Sequence, residues 1–253
     1  MKEPNLITKN PRFLFLLLGI HMGIQLGGKI DISSALRSFP QEVQEELSNR
    51  SFPAFAARGD WLWEYPKNKK LYIIISSGVV KVTKHADKKN VIRFVVGPGA
   101  ILAVSAFPTP LSKRILCIAA TPCSFIKISS SKIQNHPRLL QAFNALALQQ
   151  KDFLKKLPSH VIEGLSSQDP NKRIASALIS LSMCCGEDTA CGRKISLPLT
   201  EADIAEAASA SIEETKDLLS DALMRNDIVA CGEHLCINHP DLLIAQIKGR
   251  HSR

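Results

Sequence analysis

Residues 200–228, with the sequence TEADIAEAASASIEETKDLLSDALMRNDI, decide the fold of this chain. Thr200 precedes an Ala-rich run and stands three positions before Asp203. Its hydroxyl is therefore expected to accept a hydrogen bond from the Asp203 amide at a helix start. Ser209-Ala-Ser211 interrupts this run, and Ser211 is predicted to cap a second helix that ends near Asn226. The stretch therefore indicates two short helices joined by a tight turn.

The residues on either side of this pair of helices complete a motif. Ile228-Val-Ala-Cys231 and Leu235-Cys-Ile-Asn238 flank Gly-Glu-His and are predicted to form a β-hairpin. Upstream lie a helical pattern over Ile174–Met183 and a short strand over Lys194–Pro198. Helix, turn, helix and small hairpin in this order predict a winged helix-turn-helix.

The central part of the chain is predicted to be an all-β domain. Between Phe52 and Lys132, short runs rich in β-branched residues alternate with turns rich in Gly, Pro, Ser and Asn. This spacing is typical of an antiparallel sandwich or barrel. The runs are Leu71–Ile75, Val79–Thr83, Val91–Val96, Ile115–Ile118 and Ser124–Ile128.

A predicted helix with an apolar stripe connects the β-domain to the winged helix-turn-helix. Its apolar positions are spaced alternately by four and three residues, and Pro158 ends the regular stretch. We expect this stripe to be the seam of a two-chain coiled coil, in which a polar glutamine fixes the register; a helix that covers its own β-domain is the alternative. The predicted dimer seam is Leu139, Phe143, Leu146, Gln150, Phe153 and Leu157.

With these parts in this order, the chain resembles the CRP/FNR (cyclic-AMP receptor protein-like) family of bacterial transcription regulators. The matches are LYIIISSGVVKV at residues 71–82, Gly97-Pro-Gly-Ala-Ile101 and the ungapped stretch 200–228. The resemblance implies an α+β chain with an antiparallel β-roll that is cupin-like and cyclic-nucleotide-binding-like, a long dimerisation helix and a winged helix-turn-helix. It also implies a homodimer that binds palindromic DNA. The domains would be a tail (1–35), a β-roll sensor (36–135), the dimerisation helix (136–165) and the winged helix-turn-helix domain (166–253).

The resemblance places an effector pocket at Val104, Ser105, Lys113 and Arg114. The family's Gly-Glu pair and Arg-Ser/Thr pair, which hold ribose and cyclic phosphate, fall on Ala103-Val104 and Lys113-Arg114. Without that carboxylate a buried ribose hydroxyl lacks an acceptor, which costs about 1–3 kcal/mol. Cyclic AMP is therefore not expected. A small anionic effector is one interpretation of the two cations, and a solvated basic turn is the other.

The resemblance implies DNA contacts at Ser211, Ile212, Glu213, Glu214, Thr215 and Lys216, and we expect Lys172 and Arg173 to contact phosphates. Both arginines of the family's recognition-helix signature are replaced, by Ile212 and Asp217. Residues 200–244 hold ten acids and two cations, a net charge of −8, although the whole chain carries +9. The excess positive charge lies elsewhere, with +6 between Arg58 and Arg93.

The resemblance and the acidic charge of residues 200–244 leave two functions open. The first is a DNA-binding regulator whose unaided affinity is weak. The second is a degenerate family member that acts as a protein-interaction module through its acidic winged-helix domain, with another regulatory protein or RNA polymerase as the further partner.

The remaining features argue against other classes of protein. No Walker loop, nucleophile elbow or His-x-x-x-His pair is present, so an enzyme is not expected. Phe13–Ile20 is shorter than the roughly 20 residues of a membrane span, and we interpret it as a tail or as sequence before a true start at Met22. Seven cysteines suit a reducing, cytoplasmic setting. A metal site is not expected; the weak candidate ligands are Cys184, Cys185, Cys191, Cys231 and Cys236.

Overall fold

The computed structural model describes residues 41–50, 52–86, 89–108 and 114–247, and the predicted tail at 1–35 lies outside these ranges. The chain is α+β, as predicted. Its helices are α1 (Gln41–Arg50), α2 (Ser130–Gln134), α3 (Pro137–Lys156), α4 (Ser159–Leu165), α5 (Pro170–Cys185), α6 (Glu201–Ala208), α7 (Ile212–Met224) and α8 (Pro240–Ile247). Its strands are β1 (Phe52–Ala56), β2 (Trp61–Tyr65), β3 (Leu71–Ser77), β4 (Val80–Ala86), β5 (Lys89–Val96), β6 (Ile101–Leu102), β7 (Ile115–Ala119), β8 (Cys123–Ser129), β9 (Gly186–Thr189), β10 (Gly192–Ile195), β11 (Ile228–Cys231) and β12 (His234–Ile237).

Two antiparallel sheets form the β-domain. Their strand orders are β1-β8-β3-β6 and β2-β7-β4-β5. The five predicted strands are present as β3, β4, β5, β7 and β8, whereas β1, β2 and β6 were not predicted. Trp63 on β2 is almost fully buried between the sheets, and its indole N–H donates to the carbonyls of Asn68 and Leu71 at 3.1 and 3.2 Å.

Helix α3 lies on its own β-domain, and this placement differs from the expected coiled coil. Leu139 and Phe143 are buried in a cluster with Ile74, Ile101 and Ile126, and the Phe143 ring packs edge-on against Tyr72 at 5.3 Å. Leu146 packs against the same cluster. Phe153 and Leu157 pack against the core between the sheets. An apolar stripe on a helix can pack on a sheet face as well as on a second helix, and in this chain it packs on the sheet.

Gln150, the polar residue of the stripe, also binds within its own chain. Its side-chain oxygen accepts from the Ile101 amide at 2.7 Å, and its side-chain amide donates to the Ile101 carbonyl at 2.8 Å. Ile101 belongs to β6, the two-residue strand at the edge of its sheet. Gln150 therefore satisfies backbone groups that the sheet edge leaves unpaired.

The range 136–165, predicted as one dimerisation helix, contains two helices. Leu157 and Pro158 are both extended, with ψ values of 130° and 137°, and they separate α3 from α4. Proline lacks an amide for the helical ladder and disfavours helical geometry in the residue before it. None of the helices in the described residues is long and apolar enough to span a bilayer.

The winged helix-turn-helix is confirmed. Its sheet has the order β11-β12-β10-β9; α5 and α7 pack against the sheet, and α6 and α8 pack on α5. One hydrophobic cluster joins this domain to the β-domain, because Val79, Ile92, Val95 and Ala120 are buried together with residues of α5, α6 and α7. The two domains of the protomer therefore share a continuous core.

Candidate nucleic-acid interface

Two capping boxes build the helix-turn-helix. The Thr200 hydroxyl accepts from the Asp203 amide at 3.2 Å, and the Thr200 amide donates to the Asp203 carboxylate at 2.9 Å. Ser211 and Glu214 make the same reciprocal pair at 3.1 and 2.8 Å. These bonds satisfy amides that each helix start leaves without an intrahelical partner. Between the helices, Ser209 adopts the left-handed conformation with φ of 50°.

Arg173 fixes the turn of this motif. Its guanidinium donates to the carbonyls of Ala208 and Ser209, both at 3.0 Å, and to those of Ser167 and Gln168, both at 2.9 Å. Four carbonyl acceptors leave this side chain little capacity to bind phosphate, so its expected role is corrected. Arg173 is a positioning residue that ties α5 to the turn between α6 and α7.

The outer face of α7 is exposed, and the predicted DNA contacts divide between this face and the interior. Ile212, Glu213 and Lys216 are exposed. Thr215 is fully buried, with its hydroxyl donating to the Ser211 carbonyl at 2.9 Å, so the expectation that it reaches DNA is wrong. Glu214 is engaged in the capping box with Ser211, whose amide and hydroxyl lower the pKa of that carboxyl.

The exposed face of α7 is acidic. Glu213, Asp217 and Asp221 follow one another at intervals of four residues, which places them along one stripe of the helix, and all three are exposed. The Lys216 ammonium lies 3.7 Å from the carboxylate of Glu201 on α6. Burial raises the pKa of Glu201. The helix that should read DNA therefore presents three carboxylates beside one partly neutralised cation, while Lys172 on α5 is half-buried.

The β-domain supplies cations to the acidic domain from within the same chain. Lys81 on β4 is 8% exposed and donates to the Glu206 carboxylate at 2.5 Å, the Glu206 carbonyl at 3.1 Å and the Ser209 hydroxyl at 3.3 Å. Arg58 pairs with Asp203, the acid of the first capping box. Sequence reasoning missed both pairs, because no local pattern links residues more than a hundred positions apart.

Three of the four predicted effector residues, Val104, Ser105 and Arg114, are exposed. Val104 and Ser105 lie at the surface in a single 3-10 turn, and Lys113 lies outside the described residues. Arg114 donates to the Glu64 carboxylate at 2.7 Å, and its guanidinium carbon lies 5.3 Å from the centroid of the exposed Trp61 ring. The Nε of Arg114 is thus bonded to a carboxylate of this chain, and its role in effector binding stays a prediction.

Aromatic side chains fill much of the β-domain interior. The rings of Trp63 and Phe107 lie 6.0 Å apart, and those of Trp63 and Tyr65 lie 6.5 Å apart. A cavity of about 10 Å³ opens beside Phe94, Phe107 and Ile115. This volume accommodates about one water molecule.

Three of the five candidate metal ligands lie together at the wing, where the Cys231 thiol is within hydrogen-bonding distance of the thiols of Cys191 and Cys236. Cys184 and Cys185 end α5, Cys191 is exposed in the turn after β9, Cys231 ends β11 and Cys236 is buried in β12. Burial raises the pKa of Cys184 to about 12 and that of Cys185 to about 11. Within the described ranges, no group of three or more His, Cys, Asp or Glu side chains is arranged to hold a metal ion.

Comparison with known proteins identifies relatives by fold alone. No protein-family model and no curated protein matches the sequence. Among solved structures, a mutant of CooA from Carboxydothermus hydrogenoformans matches with a TM-score of 0.51 and 18% identity, over 87% of this chain and 96% of that one. FixK2 from Bradyrhizobium japonicum matches with 0.51 and 13%, over 76% and 95%. A cyclic nucleotide-binding domain containing protein from Listeria monocytogenes EGD-e matches with 0.50 and 17%, over 81% and 95%.

These similarities extend over nearly the full length of each matched structure and include both the β-domain and the winged helix-turn-helix. CooA and FixK2 are regulators of the CRP/FNR family. The chain therefore has the fold of the CRP/FNR regulators.

Proposed function

We propose that this chain is a DNA-binding transcription regulator of the CRP/FNR type, acting in the cytoplasm as a homodimer and responding to an effector other than cyclic AMP. The observation that carries this proposal is the unit formed by α6, the Ser209 turn and α7. Two capping boxes and Arg173 hold this unit rigid, and the outer face of α7 is exposed on the protomer. Recognition helices of this motif insert into the major groove from such a position.

The charge of α7 sets the expected strength of binding. We count Lys216 on α7 and Lys172 on α5 as the phosphate contacts of each protomer, which gives about four for a dimer. Each neutralised phosphate contributes about −0.9 to the slope of log K against log salt, so we expect a slope near −4. Glu213 on the same face can accept a hydrogen bond from a cytosine amine, and Ile212 can contact a thymine methyl group.

The test is a mobility-shift assay of the full chain with genomic fragments at about 50 mM and about 200 mM salt. We expect some fragments to be retained in preference to others, and we expect Lys216→Ala to weaken the binding. Lys69→Ala, an exposed site on the β-domain, is the matched control and should leave binding unchanged. Binding that ignores sequence, or no binding at low salt, would overturn the proposal.

The proposed dimer uses the side of α3 that faces away from the β-domain. Leu148 is 57% exposed there, with Ala145 and Asp152 exposed beside it. Analytical ultracentrifugation at micromolar concentration should give twice the protomer mass of 27.8 kDa. Leu148→Lys should yield the protomer, whereas Gln134→Lys, an exposed change on α2, should not. A wild-type protomer at these concentrations would contradict the dimer.

A second function is favoured by the acidic stripe Glu213–Asp217–Asp221. Ile212 is 49% exposed and Met224 is 70% exposed on the same helix, so carboxylates and apolar side chains share one surface. Such a surface suits a basic protein partner better than a phosphate backbone. Purified RNA polymerase is the probe for this alternative. Saturable binding that Asp217→Lys abolishes, together with no DNA binding at low salt, would favour an interaction module.

A further inference from the structure

The strand β5 contains a bulge that places Arg93 outside the regular pairing. Val82 pairs with Phe94, but the next residue of β4, Thr83, pairs with Ile92. Arg93 is therefore the extra residue that β4 does not match. A bulge of this kind bends its strand and redirects the side chain that it carries, and bulges occur often beside binding sites.

Within the described residues, the Nε of the Arg93 guanidinium has no hydrogen-bond partner. Its Nε–H is buried and donates to no acceptor among the described residues, and Arg93 forms no ion pair with them. A buried donor on a permanent charge is costly to leave without an acceptor. This arrangement differs from that of Arg58, Arg114 and Arg173, each of which is bonded to an oxygen of the chain.

Lys84 lies beside Arg93 at the same end of the β-domain. It pairs with Ile115 across β7, so its side chain leaves the sheet on the face that also carries the buried Val82. Lys84 is half-buried and, like Arg93, makes no ion pair within the described part of the chain. Both residues line the small cavity, together with Val82, Thr83, Phe94, Phe107 and Ile115.

We propose that Arg93 and Lys84 bind an oxyanion, the acid group of a small carboxylate or phosphate, at the rim of this cavity. A planar guanidinium and an ammonium are the groups that recognise such oxygens. The apolar floor offers room for little more than the head group, so the body of a larger ligand lies outside the cavity. This inference rests on the proposed function, since it supplies a binding site for the anionic effector.

Isothermal titration of the full chain with acetate, hexanoate and inorganic phosphate, at constant ionic strength, tests the site. We expect saturable binding of at least one of these anions, at least tenfold weaker in Arg93→Gln and measurably weaker in Lys84→Gln. Lys69→Gln is the matched control and should bind as the wild type does. Hexanoate binding more tightly than acetate identifies the acid group of an apolar molecule, whereas preference for phosphate identifies a free or esterified phosphate.

The inference is overturned if none of the three anions binds saturably, or if Arg93→Gln and Lys84→Gln both bind them as the wild type does. Urea unfolding of each variant shows whether it folds, and if Arg93→Gln does not, Arg93→Lys and Lys84→Gln decide the result. Because no DNA is present in the titration, a failure here leaves the mobility-shift result untouched. A failure to bind DNA likewise leaves the anion titration valid.

Discussion

Replacing Lys81 with methionine tests how the winged-helix domain is held on the β-domain. The substitution Lys81→Met preserves the length and the packing of the aliphatic stem and removes only the ammonium. Three acceptors then lose their donor: the carboxylate and the carbonyl of Glu206 and the hydroxyl of Ser209. The double-mutant cycle is completed by Glu206→Gln and by the combined variant.

The structure sets the size of the effect. Hydrogen bonds to charged groups contribute about 1.5–3 kcal/mol each, but the Glu206 side chain is 36% exposed, and water competes there. Burying the Lys81 ammonium also costs desolvation energy, and removing the ammonium recovers this cost and offsets part of the loss. We therefore expect Lys81→Met to lower the free energy of unfolding by about 2 kcal/mol. At 2–4 °C per kcal/mol for a chain of this size, the Tm falls by about 4–8 °C.

Urea unfolding at neutral pH measures the four free energies of the cycle. We expect a coupling energy between Lys81 and Glu206 of about 1 kcal/mol, because the two side chains are in direct contact. Lys69→Met, at an exposed position of the same domain, is the control and should change the free energy of unfolding by less than about 0.5 kcal/mol. A Lys81→Met variant as stable as the control, or a coupling energy of zero, would refute the docking described here.

Three further predictions concern helix α7 and the thiols. Asp217→Arg should tighten DNA binding and steepen the slope of log K against log salt by about 0.9 per protomer, as measured by mobility shift; an unchanged slope would show that α7 does not face the phosphates. Hydrogen bonds from Ser211 hold the pKa of Glu214 below its usual range, so the stability that they contribute is present above the ordinary carboxyl pKa and is lost as pH falls through the lowered value. The stability difference between wild type and Glu214→Gln should therefore shrink on acidification in urea titrations, and a difference independent of pH would contradict this. Burial raises the pKa of Cys184 to about 12 and of Cys185 to about 11, and the contact with Cys231 also raises the pKa of Cys191. Because Cys191 is exposed, it should still react with a thiol reagent before Cys184 and Cys185 in the native protein; mass spectrometry that finds Cys184 or Cys185 modified as fast would overturn the placement.

Local chemistry made the helix-turn-helix predictable. Thr200 and Asp203, three residues apart, specify a helix start through side-chain-to-backbone bonds that form within one turn, and both bonds are present. Ser211 predicted the start of α7 in the same way, although the partner that completes its box is Glu214, which the sequence had suggested as a DNA contact. The β-rich runs from Leu71 to Ile128 were predictable because their alternation with turns is also a local property.

Features that depend on distant partners were not predictable. The stripe from Leu139 to Leu157 specifies one apolar face of a helix but not what covers it, and Gln150 fits a coiled-coil seam and a sheet edge equally well until β6 is placed beside it. Arg173 has the appearance of a phosphate ligand in the sequence, and only the fold brings four carbonyls to it. The bulge at Arg93 depends on the register between two strands, which the run Val91–Val96 does not specify.

Selection of genomic DNA by the full chain tests the central claim most directly. At about 50 mM salt, where phosphate contacts are strongest, we predict that the enriched fragments share an inverted repeat whose half-sites are separated by about one helical turn. Enrichment of such a repeat should be lost with Lys216→Ala and retained with Lys69→Ala. Fragments without a common motif, or no enrichment over the input DNA, would contradict a role for α7 as a reader of sequence.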